Sequence, residues 1–305
     1  MNQIPADYPI DPAGTPFDID DDSAYRVWRD GKLADYPTRA EDLCVAIRDP
    51  RALSDIEHGA LLTRCRKTNM AIYQSAIGAN PDKDIPSLLG RRFGLHRLDK
   101  NQGSDENAIT AITVTDVDGR GEFIPYTDRP LHWHTDGYYN APDRQVRGFL
   151  LHCVNPAQTG GENALLDHEI AYILLREENP AFIRALMAPD AMTIPAYRAD
   201  GVLRRPERAG PVFSVCADGA LHMRYTMRTR NIHWKRGPEL ESALAFLQEL
   251  FSSDCPYLFR LTLESGWGVI NNNVLHDRSR FVDREDNPRL LYRARYYDRI
   301  AGCGG

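Results

Sequence analysis

The sequence lacks several features that mark particular classes of protein. Its six cysteines are scattered and form no Cys-x-x-Cys pair, which indicates reduced, mostly buried thiols. No stretch approaches the roughly 18 apolar residues needed to cross a membrane, and the N-terminus has no apolar core of signal-peptide type. The net charge is -6 and no long basic run is present, so a nucleic-acid partner is not expected. These absences predict a cytoplasmic protein, and small anionic ligands remain possible because local arginines can outweigh a mildly acidic average.

The composition is that of an ordinary globular protein. Hydrophobic residues make up 42% of the 305 residues and charged residues 26%. Residues 1–37, with prolines at positions 5, 9, 12 and 16, predict an extended N-terminal arm, and residues 38–305 predict a single domain. Within that domain a Ser/Thr-x-x-Glu pattern at Thr38 and Glu41 predicts a helix over residues 43–47, and a second helix is expected over residues 54–67.

From about residue 108 the sequence is dominated by short segments rich in β-branched and aromatic residues, separated by turn signals. Two helical stretches interrupt them. One follows Asp167, a candidate N-cap, and the other carries apolar residues at helical spacing from Leu240 to Phe251. The fold class predicted is mainly β with helical insertions, in which helices flank a sandwich or barrel-like core. Periodicity alone does not choose between a jelly roll and other β sandwiches.

The motif Leu131-His-Trp-His-Thr-Asp136 is the most informative part of the sequence. In an extended strand alternate side chains share a face, so His134 and Asp136 can converge on one ion. His276, which follows a distant apolar segment, offers a third ligand. Two imidazoles and one carboxylate form the facial triad of non-haem Fe(II) oxygenases, which leaves coordination positions for an oxoacid and dioxygen.

Other metal sites can be built from the same residues. A cupin-type site would use His132 with His134, but it also needs a glutamate shortly afterwards, and residues 135–140 contain none. His132 is therefore expected to have a supporting or structural role. Zinc also binds histidine and carboxylate ligands, so the triad by itself leaves a zinc hydrolase open.

Three arginines follow His276 at odd-numbered positions, where an extended strand would place all of them on one face: Arg289, Arg293 and Arg295. Such a face is either solvated or meets anions. Arg289 lies 289 − 276 = 13 positions after the third candidate metal ligand. A guanidinium there could pair with the far carboxylate of an oxoacid that is chelated to the metal.

The order of these motifs resembles the taurine dioxygenase (TauD/TfdA) family. The resemblance covers roughly residues 72–298 and rests on His134-x-Asp136, Gly160-Gly161-Glu162-Asn163, His276 and Arg289-x-x-x-Arg293. It implies a double-stranded β-helix, or jelly-roll, core. It also implies a dioxygenase that uses Fe(II), 2-oxoglutarate and dioxygen to hydroxylate an unactivated C–H bond, releasing succinate and carbon dioxide. Relatives often form dimers or larger assemblies, so a homo-oligomer is expected.

The resemblance also assigns roles to individual residues. His134, Asp136 and His276 would be the iron ligands, and Arg289 would pair with the distal carboxylate of 2-oxoglutarate. Asn163 stands where taurine-type enzymes have a threonine that helps to bind 2-oxoglutarate. Arg293 matches a position that contacts an anionic group of the primary substrate in several members of the family.

A narrower resemblance to γ-butyrobetaine hydroxylase lies in Gly148-Phe-Leu-Leu-His-Cys153. By that resemblance Tyr138, with Tyr139, could form an aromatic cage for a quaternary ammonium group, or the two rings could simply pack at the site entrance. The expected substrate is a small anionic or betaine-like molecule. The alternatives to an oxygenase are a zinc-dependent hydrolase and a non-catalytic ligand-sensing protein on the same β core.

Overall fold

The computed structural model describes residues 9–100, 105–199 and 201–303. The first eight residues of the predicted arm and the last two of the predicted domain lie outside this range. The helices are α1 (Asp22–Leu33), α2 (Asp55–Thr68), α3 (Ile85–Arg92), α4 (His168–Glu178), α5 (Pro180–Leu186) and α6 (Pro238–Ser252). Short 3-10 helices span Ala40–Leu43, Val117–Glu122, Ile124–Tyr126 and Pro142–Arg144.

Most of the strands are short. The first ten are β1 (Cys44–Ile47), β2 (Met70–Ser75), β3 (Thr110–Ile112), β4 (Leu131–His134), β5 (Gly148–Asn155), β6 (Thr159–Gly160), β7 (Asn163–Leu166), β8 (Met192–Ile194), β9 (Tyr197–Ala199) and β10 (Val202–Arg205). The others are β11 (Arg208–Gly210), β12 (Phe213–Val215), β13 (Leu221–Met223), β14 (His233–Trp234), β15 (Phe259–Leu261), β16 (Trp267–Asn271), β17 (Leu275–Arg278), β18 (Phe281–Val282) and β19 (Leu290–Tyr296).

Two sheets form the body of the jelly roll. The larger has the strand order β1-β2-β16-β5-β19-β3, and the smaller has the order β15-β7-β17-β4. All of these pairings are antiparallel except that of β1 with β2. One hydrophobic cluster contains buried side chains of both sheets, so their inner faces enclose a common core. The prediction of a β-rich jelly roll with flanking helices is confirmed.

Strand β5 of the larger sheet has an almost continuous apolar sequence because both of its faces are covered. Phe149, Leu151 and Cys153 belong to the cluster between the two sheets, whereas Leu150 and Val154 belong to a second cluster on the other face. The second cluster includes residues of helices α2 and α3, which cover that face. Because successive side chains of a strand alternate between faces, a strand covered on both faces is apolar at most of its positions.

Helices α4, α5 and α6 pack against one another and add to the core that the two sheets share. Trp133 of β4 stacks on Phe251 of α6 with ring centroids 4.6 Å apart, which fixes the strand that leads into the metal motif. Asp167 caps α4 as the sequence predicts, because its carboxylate accepts the backbone N–H of Glu169 at 2.9 Å. The helical stretch predicted after Asp167 is interrupted before Pro180. Helix α5 begins at Pro180, and Asn179 is its N-cap.

The N-terminal region differs from the prediction of an extended arm. Residues 22–33 form helix α1, capped by Asp21, whose carboxylate accepts two backbone N–H groups of the first turn. Phe17, Tyr25 and Tyr36 are buried in the main hydrophobic cluster, so burial of aromatic side chains stabilises this region against the core. The division into an arm and a single domain stays a prediction.

The prediction of a helix over residues 43–47 is wrong. Residues 44–47 form strand β1, which pairs with β2 in parallel, and the segment before it is a single 3-10 turn. Val45 and Ile47 are buried and Ala46 is exposed, a strand alternation that outweighs the local capping pattern. The second helix is confirmed as α2, with a complete capping box between Ser54 and Glu57. No helix in the described part of the chain is long and apolar enough to span a bilayer.

Candidate metal centre and co-substrate cavity

Three side chains from two adjacent strands and the turn beyond one of them meet in the smaller sheet. His276 of β17 lies directly opposite His134 of β4, and their ring centroids are 4.3 Å apart. Asp136 follows β4, and one ligand atom from each of these three residues lies within 4.8 Å of the other two. All three residues are buried. The structure therefore brings together the three metal ligands that the sequence predicts.

Backbone contacts orient both imidazole rings in the same way. The Nδ1 atom of His134 lies 2.9 Å from the carbonyl of His132, and Nδ1 of His276 lies 2.9 Å from the carbonyl of Val274. A carbonyl can only accept, so each Nδ1 carries the proton and each Nε2 presents its lone pair. Burial, together with the neighbouring His276 ring, lowers the pKa of His134 to about 3, which keeps that imidazole neutral as a metal ligand must be.

The carboxylate of Asp136 is held as an anion at the centre of the site. Burial alone would raise its pKa, but the guanidinium groups of Arg293 and Arg295 outweigh burial and keep the pKa well below its usual range. Its Oδ1 atom lies 3.3 Å from Nη1 of Arg293 and 3.8 Å from Nε2 of His134. Its Oδ2 atom is buried and forms no hydrogen bond with the described residues. A buried carboxylate oxygen without a donor is what a metal ion would satisfy.

The position of Asp136 depends on Asn273, a residue that sequence reasoning missed. Strand β4 ends at His134, so strand geometry alone does not place Asp136. The side-chain amide of Asn273 instead accepts the backbone N–H of Asp136 at 2.8 Å and donates to its carbonyl at 2.9 Å. The same Nδ2 atom donates to the carbonyl of Val146 at 2.6 Å. The run of three polar asparagines at 271–273, at the end of the apolar strand β16, is the sequence signal for this contact.

Asn273 reaches this position because its backbone is left-handed, with φ of 56°. Asparagine tolerates that conformation better than other residues with a Cβ atom. The turn that carries Asn273 also leads directly into β17 and His276. One short segment thus supplies the third candidate ligand and fixes the second.

Strand β19 carries Arg293 and Arg295 towards this site, on the face where Leu291 joins the core between the sheets. Arg295 lies with its Nη1 atom 3.9 Å from Oδ1 of Asp136, and it also forms a buried ion pair with Asp99. The alternate residues Tyr292, Ala294 and Tyr296 belong to the cluster on the opposite face. Arg293 and Arg295 therefore lie on one face of β19, as predicted. That face is buried beside the candidate metal site.

Arg289 lies just before β19 and lines a small cavity together with Gly161 and Asn163. It is buried, its Nη1 atom has no hydrogen-bond partner among the described residues, and burial lowers its pKa to about 10. Its guanidinium packs 5.0 Å from the centroid of the Phe281 ring. A buried guanidinium without an acidic partner is costly, and an anionic ligand in this cavity would offset that cost.

The glycines at 160 and 161 shape this cavity. Both have left-handed φ angles, 73° and 72°, and a Cβ atom on Gly160 would lie 2.2 Å from the carbonyl oxygen of Arg280. A side chain at either position is therefore strained or obstructed. The close approach of Gly160 to the backbone of Arg280 allows the chain to turn between β6 and β7. This turn brings Asn163 to the cavity wall.

The sheet register relates the cavity to the metal centre. Leu165 pairs with His276, and Asn163 pairs with Arg278 in the same β7–β17 ladder. Asn163 therefore lies on the same face as His276. It is on the neighbouring strand and is displaced along the strand direction by two residues, about 7 Å. The Asn163 amide donates to the carbonyl of Gly161 at 3.3 Å and so borders the cavity that contains Arg289. A dicarboxylate chelated at the triad could reach this cavity along the strand.

Tyr138 and Tyr139 follow the metal motif and pack edge to face, with ring centroids 5.2 Å apart. The Tyr139 hydroxyl accepts a hydrogen bond from Nη1 of Arg295 at 2.9 Å, and the Tyr138 hydroxyl accepts one from Nη1 of Arg228 at 3.1 Å. Both rings are half-buried. Each tyrosine hydroxyl therefore accepts from a guanidinium group, and one of the two donors, Arg228, was not assigned to the site from the sequence.

The cupin-type arrangement is not formed. The side chain of His132 is exposed, whereas that of His134 is buried, and His132 contributes only its backbone carbonyl to the site. The expected supporting role of His132 is therefore limited to its main chain.

The family comparison agrees with this geometry. A family model described as "Taurine catabolism dioxygenase TauD, TfdA family" matches residues 78–295. The matched region contains both histidines and the carboxylate of the triad, the Gly-Gly cavity and the arginines of β19.

Two relatives of known function are similar over much of their length. A uridine-5'-phosphate dioxygenase from Amycolatopsis sp is 32% identical over 278 residues, which cover 84% of this chain and 97% of that protein. A uridine-5'-phosphate dioxygenase from Streptomyces sp is 33% identical over 201 residues, which cover 62% of this chain and 69% of that protein.

Among solved structures, an asparagine oxygenase in complex with Fe(II), 3-hydroxyasparagine and succinate has a similar fold. The TM-score is 0.54 at 18% sequence identity, and the match covers 79% of this chain and 81% of that chain. At this level of identity the likeness supports the fold of the chain alone.

Proposed function

The chain belongs to the taurine catabolism dioxygenase TauD, TfdA family and is an Fe(II)- and 2-oxoglutarate-dependent dioxygenase, and from this premise we propose that its substrate is a nucleoside monophosphate of the uridine-5'-phosphate type. The assignment of roles to individual residues belongs to the same proposal. The residue roles for metal and co-substrate rest on the buried triad with one unpaired carboxylate oxygen, next to a cavity that contains an unpaired guanidinium nitrogen.

In this proposal His134, Asp136 and His276 hold the Fe(II) ion through Nε2, a carboxylate oxygen and Nε2. The donor set is the one that leaves three adjacent coordination positions on iron. An iron ion bound there would, together with 2-oxoglutarate and dioxygen, supply the oxidising chemistry that hydroxylates an unactivated C–H bond. Succinate and carbon dioxide would be released. The protein has to exclude water from this site, and the burial of all three ligands serves that purpose.

Arg289 and Asn163 are proposed to bind the distal carboxylate of 2-oxoglutarate. The guanidinium of Arg289 provides parallel N–H donors that match a carboxylate, and its Nη1 is unpaired in the cavity. Asn163 provides an amide on the same wall. Phe281 packs against the Arg289 guanidinium and restricts its motion, so the distal carboxylate meets a preorganised donor.

The proposed substrate follows from the two relatives together with the charge of the site entrance. Both relatives act on uridine-5'-phosphate, and the first of them is matched over 97% of its length. Arg293 and Tyr138 are proposed to contact the substrate, and the surrounding guanidinium groups favour an anion. A quaternary ammonium group would be repelled here, because Tyr139 already lies beside the guanidinium groups of Arg205 and Arg295. We therefore favour the anionic substrate over the betaine-like one.

The test is substrate-dependent succinate formation by the iron-loaded enzyme with 2-oxoglutarate in air. Uridine-5'-phosphate should stimulate succinate formation and be consumed in equal amount, whereas uridine, betaines and taurine should stimulate it weakly. The absence of stimulation by any nucleoside monophosphate would refute the substrate assignment without affecting the dioxygenase assignment.

The zinc hydrolase and the ligand sensor are separated from the dioxygenase by two further measurements. Addition of Fe(II) and 2-oxoglutarate without oxygen should produce a visible charge-transfer band. A zinc hydrolase would show no such band and would need neither component. A sensor would show the band but no substrate-stimulated turnover.

A further inference from the structure

Two arginines outside the metal motif and outside β19 converge on the tyrosine pair at the site entrance. Arg205, at the end of β10, places its guanidinium 5.6 Å from the centroid of the Tyr139 ring. Arg228 donates to the Tyr138 hydroxyl at 3.1 Å. The proximity of Arg228 also lowers the pKa of Arg205, after the larger effect of burial. The two positive charges are therefore close enough to repel each other.

Neither arginine has an acidic partner among the described residues. Arg205 donates from Nη2 to the carbonyl of Pro195 at 3.2 Å, and its buried Nε atom has no partner. Arg228 is exposed, and its side chain bonds to the Tyr138 hydroxyl. Arg208 adds further positive charge that also lowers the pKa of Arg205. Neighbouring positive groups without counter-charges raise the energy of the free protein, and a bound anion would relieve this repulsion.

The buried Arg224 holds the parts of this arrangement together. Its guanidinium donates to the carbonyls of Tyr138 at 2.6 Å, Met192 at 2.9 Å and Arg208 at 2.9 Å. It thereby connects the loop after the metal motif with β8 and with β11, the strand that directly follows the Arg205 hairpin. A side chain at Gly210 would meet Nη1 of Arg224 at 3.2 Å. The positions of the tyrosines and of the hairpin are therefore fixed relative to each other before any ligand binds.

A strand irregularity directs Arg205 towards the site. The register of β9 and β10 shifts between Leu203 and Arg205, and irregularities of this kind re-aim side chains. Leu203 is 46% exposed, whereas Arg205 is half-buried against Tyr139. The hairpin thus contributes one inward-facing cation.

Tyr139 connects Arg205 to the candidate metal centre. Tyr139 contacts Arg205 through its ring, and its hydroxyl accepts from Arg295, whose guanidinium is near Asp136. A molecule bound between Arg205 and Arg228 would therefore occupy the entrance to the centre. Its anionic end would lie at the tyrosine pair, and its remaining atoms could extend towards the iron ligands.

We propose that Arg205 and Arg228, together with the Tyr138 hydroxyl, form the subsite that binds the phosphate group of the substrate. This inference rests on the proposed function and assigns its anion recognition to residues other than those of β19. A phosphate monoester carries close to two negative charges and three acceptor oxygens at neutral pH, so two guanidinium groups match it better than one. The β19 arginines are already engaged with Asp136 and Asp99.

The test measures ligand binding to the Fe(II)- and 2-oxoglutarate-loaded enzyme without oxygen, by calorimetric titration. The probes are uridine-5'-phosphate, uridine and inorganic phosphate. Arg205→Gln and Arg228→Gln are compared with Arg204→Gln and Arg230→Gln, exposed arginines one position before Arg205 and two positions after Arg228. Arg205→Lys tests whether a point charge restores binding. An unchanged charge-transfer band in each variant shows that the metal centre is intact.

Loss of one charged hydrogen bond should raise the Kd for uridine-5'-phosphate by about tenfold to a hundredfold in Arg205→Gln and Arg228→Gln. The two controls should bind as the wild type does, Arg205→Lys should recover part of the loss, and uridine should bind all proteins equally. Unchanged binding of uridine-5'-phosphate in both Gln variants would overturn the subsite while the proposed function stands.

Two other outcomes separate the inference from the substrate assignment. If the wild type binds inorganic phosphate through these arginines but does not bind uridine-5'-phosphate, the subsite holds and the nucleotide assignment falls. If the wild type binds neither probe, both the subsite and the nucleotide assignment are refuted.

Discussion

The side-chain amide of Asn273 holds the backbone of Asp136 at both its N–H and its carbonyl, with distances of 2.8 and 2.9 Å. Asn273 contributes no atom to the candidate triad, yet it fixes the carboxylate that completes it. The contact joins the turn before β17 to the turn after β4. Asp136 is therefore connected to the segment that carries His276 by this side-chain contact as well as by the pairing of β17 with β4.

Replacing Asn273 with alanine should therefore weaken metal binding. Removal of a residue that positions a metal ligand typically costs about 10- to 100-fold in metal affinity. The measurement is an anaerobic Fe(II) titration that gives Kd. Asn272→Ala is the matched control, because Asn272 is equally buried but bonds to Asn69 and Ile300. Equal Fe(II) affinities in the two variants would show that Asn273 does not position Asp136.

Removal of a proposed iron ligand should abolish activity. Asp136→Ala and His276→Ala each leave two protein ligands, and both variants should lose substrate-linked succinate formation. His132→Ala is the control, since it removes an exposed imidazole two residues from His134 and leaves the backbone carbonyl in place. Full activity in either ligand variant would refute the assigned triad.

Arg289→Ala should raise the concentration of 2-oxoglutarate that the enzyme requires. Loss of a charge-assisted pair with the distal carboxylate should increase the apparent KM for 2-oxoglutarate by about tenfold or more. The KM for the primary substrate should change little. Arg280→Ala, which removes an exposed arginine from the neighbouring loop, is the control. An unchanged 2-oxoglutarate requirement in Arg289→Ala would remove this residue from the role.

The buried His152 should make the protein less stable in acid. Burial lowers its pKa to about 4, whereas an unfolded chain has a histidine pKa of about 6.5. The unfolded state therefore binds more protons as the pH falls from 6.5 towards 4, and the free energy of unfolding decreases over that range, by about 2 kcal/mol at pH 5 for this group alone.

The measurement for His152 is urea unfolding at pH 7 and at pH 5 of the wild type and of His152→Gln. The glutamine side chain does not titrate, so the variant should lose less stability between the two pH values, whatever its stability at pH 7. His168 and His222 are also buried with lowered pKa values and contribute equally to both proteins. Identical pH dependence in the two proteins would show that His152 does not contribute.

Local pattern was sufficient for the elements in which propensity and burial agree. Helix α2 is expected from the sequence over residues 54–67, α6 is predicted from its apolar spacing, and Asp167 is predicted as the cap of α4. Local pattern failed at residues 43–47, where a capping motif pointed to a helix but pairing with β2 stabilises a strand. It also missed helix α1, whose aromatic residues are ordered by packing against a distant part of the chain.

The sequence by itself determined which residue types could bind a metal and an oxoacid: two histidines, a carboxylate and the arginines that follow them in a fixed order. Only the tertiary structure decided how they meet. The register of β17 on β4 sets His276 opposite His134, and the Asn273 amide aims Asp136. The convergence of Arg205 and Arg228 on the tyrosine pair could not be read from the chain, because those contacts join segments 66 to 90 positions apart. Such long-range contacts depend on sheet register and buried hydrogen bonds rather than on local propensity.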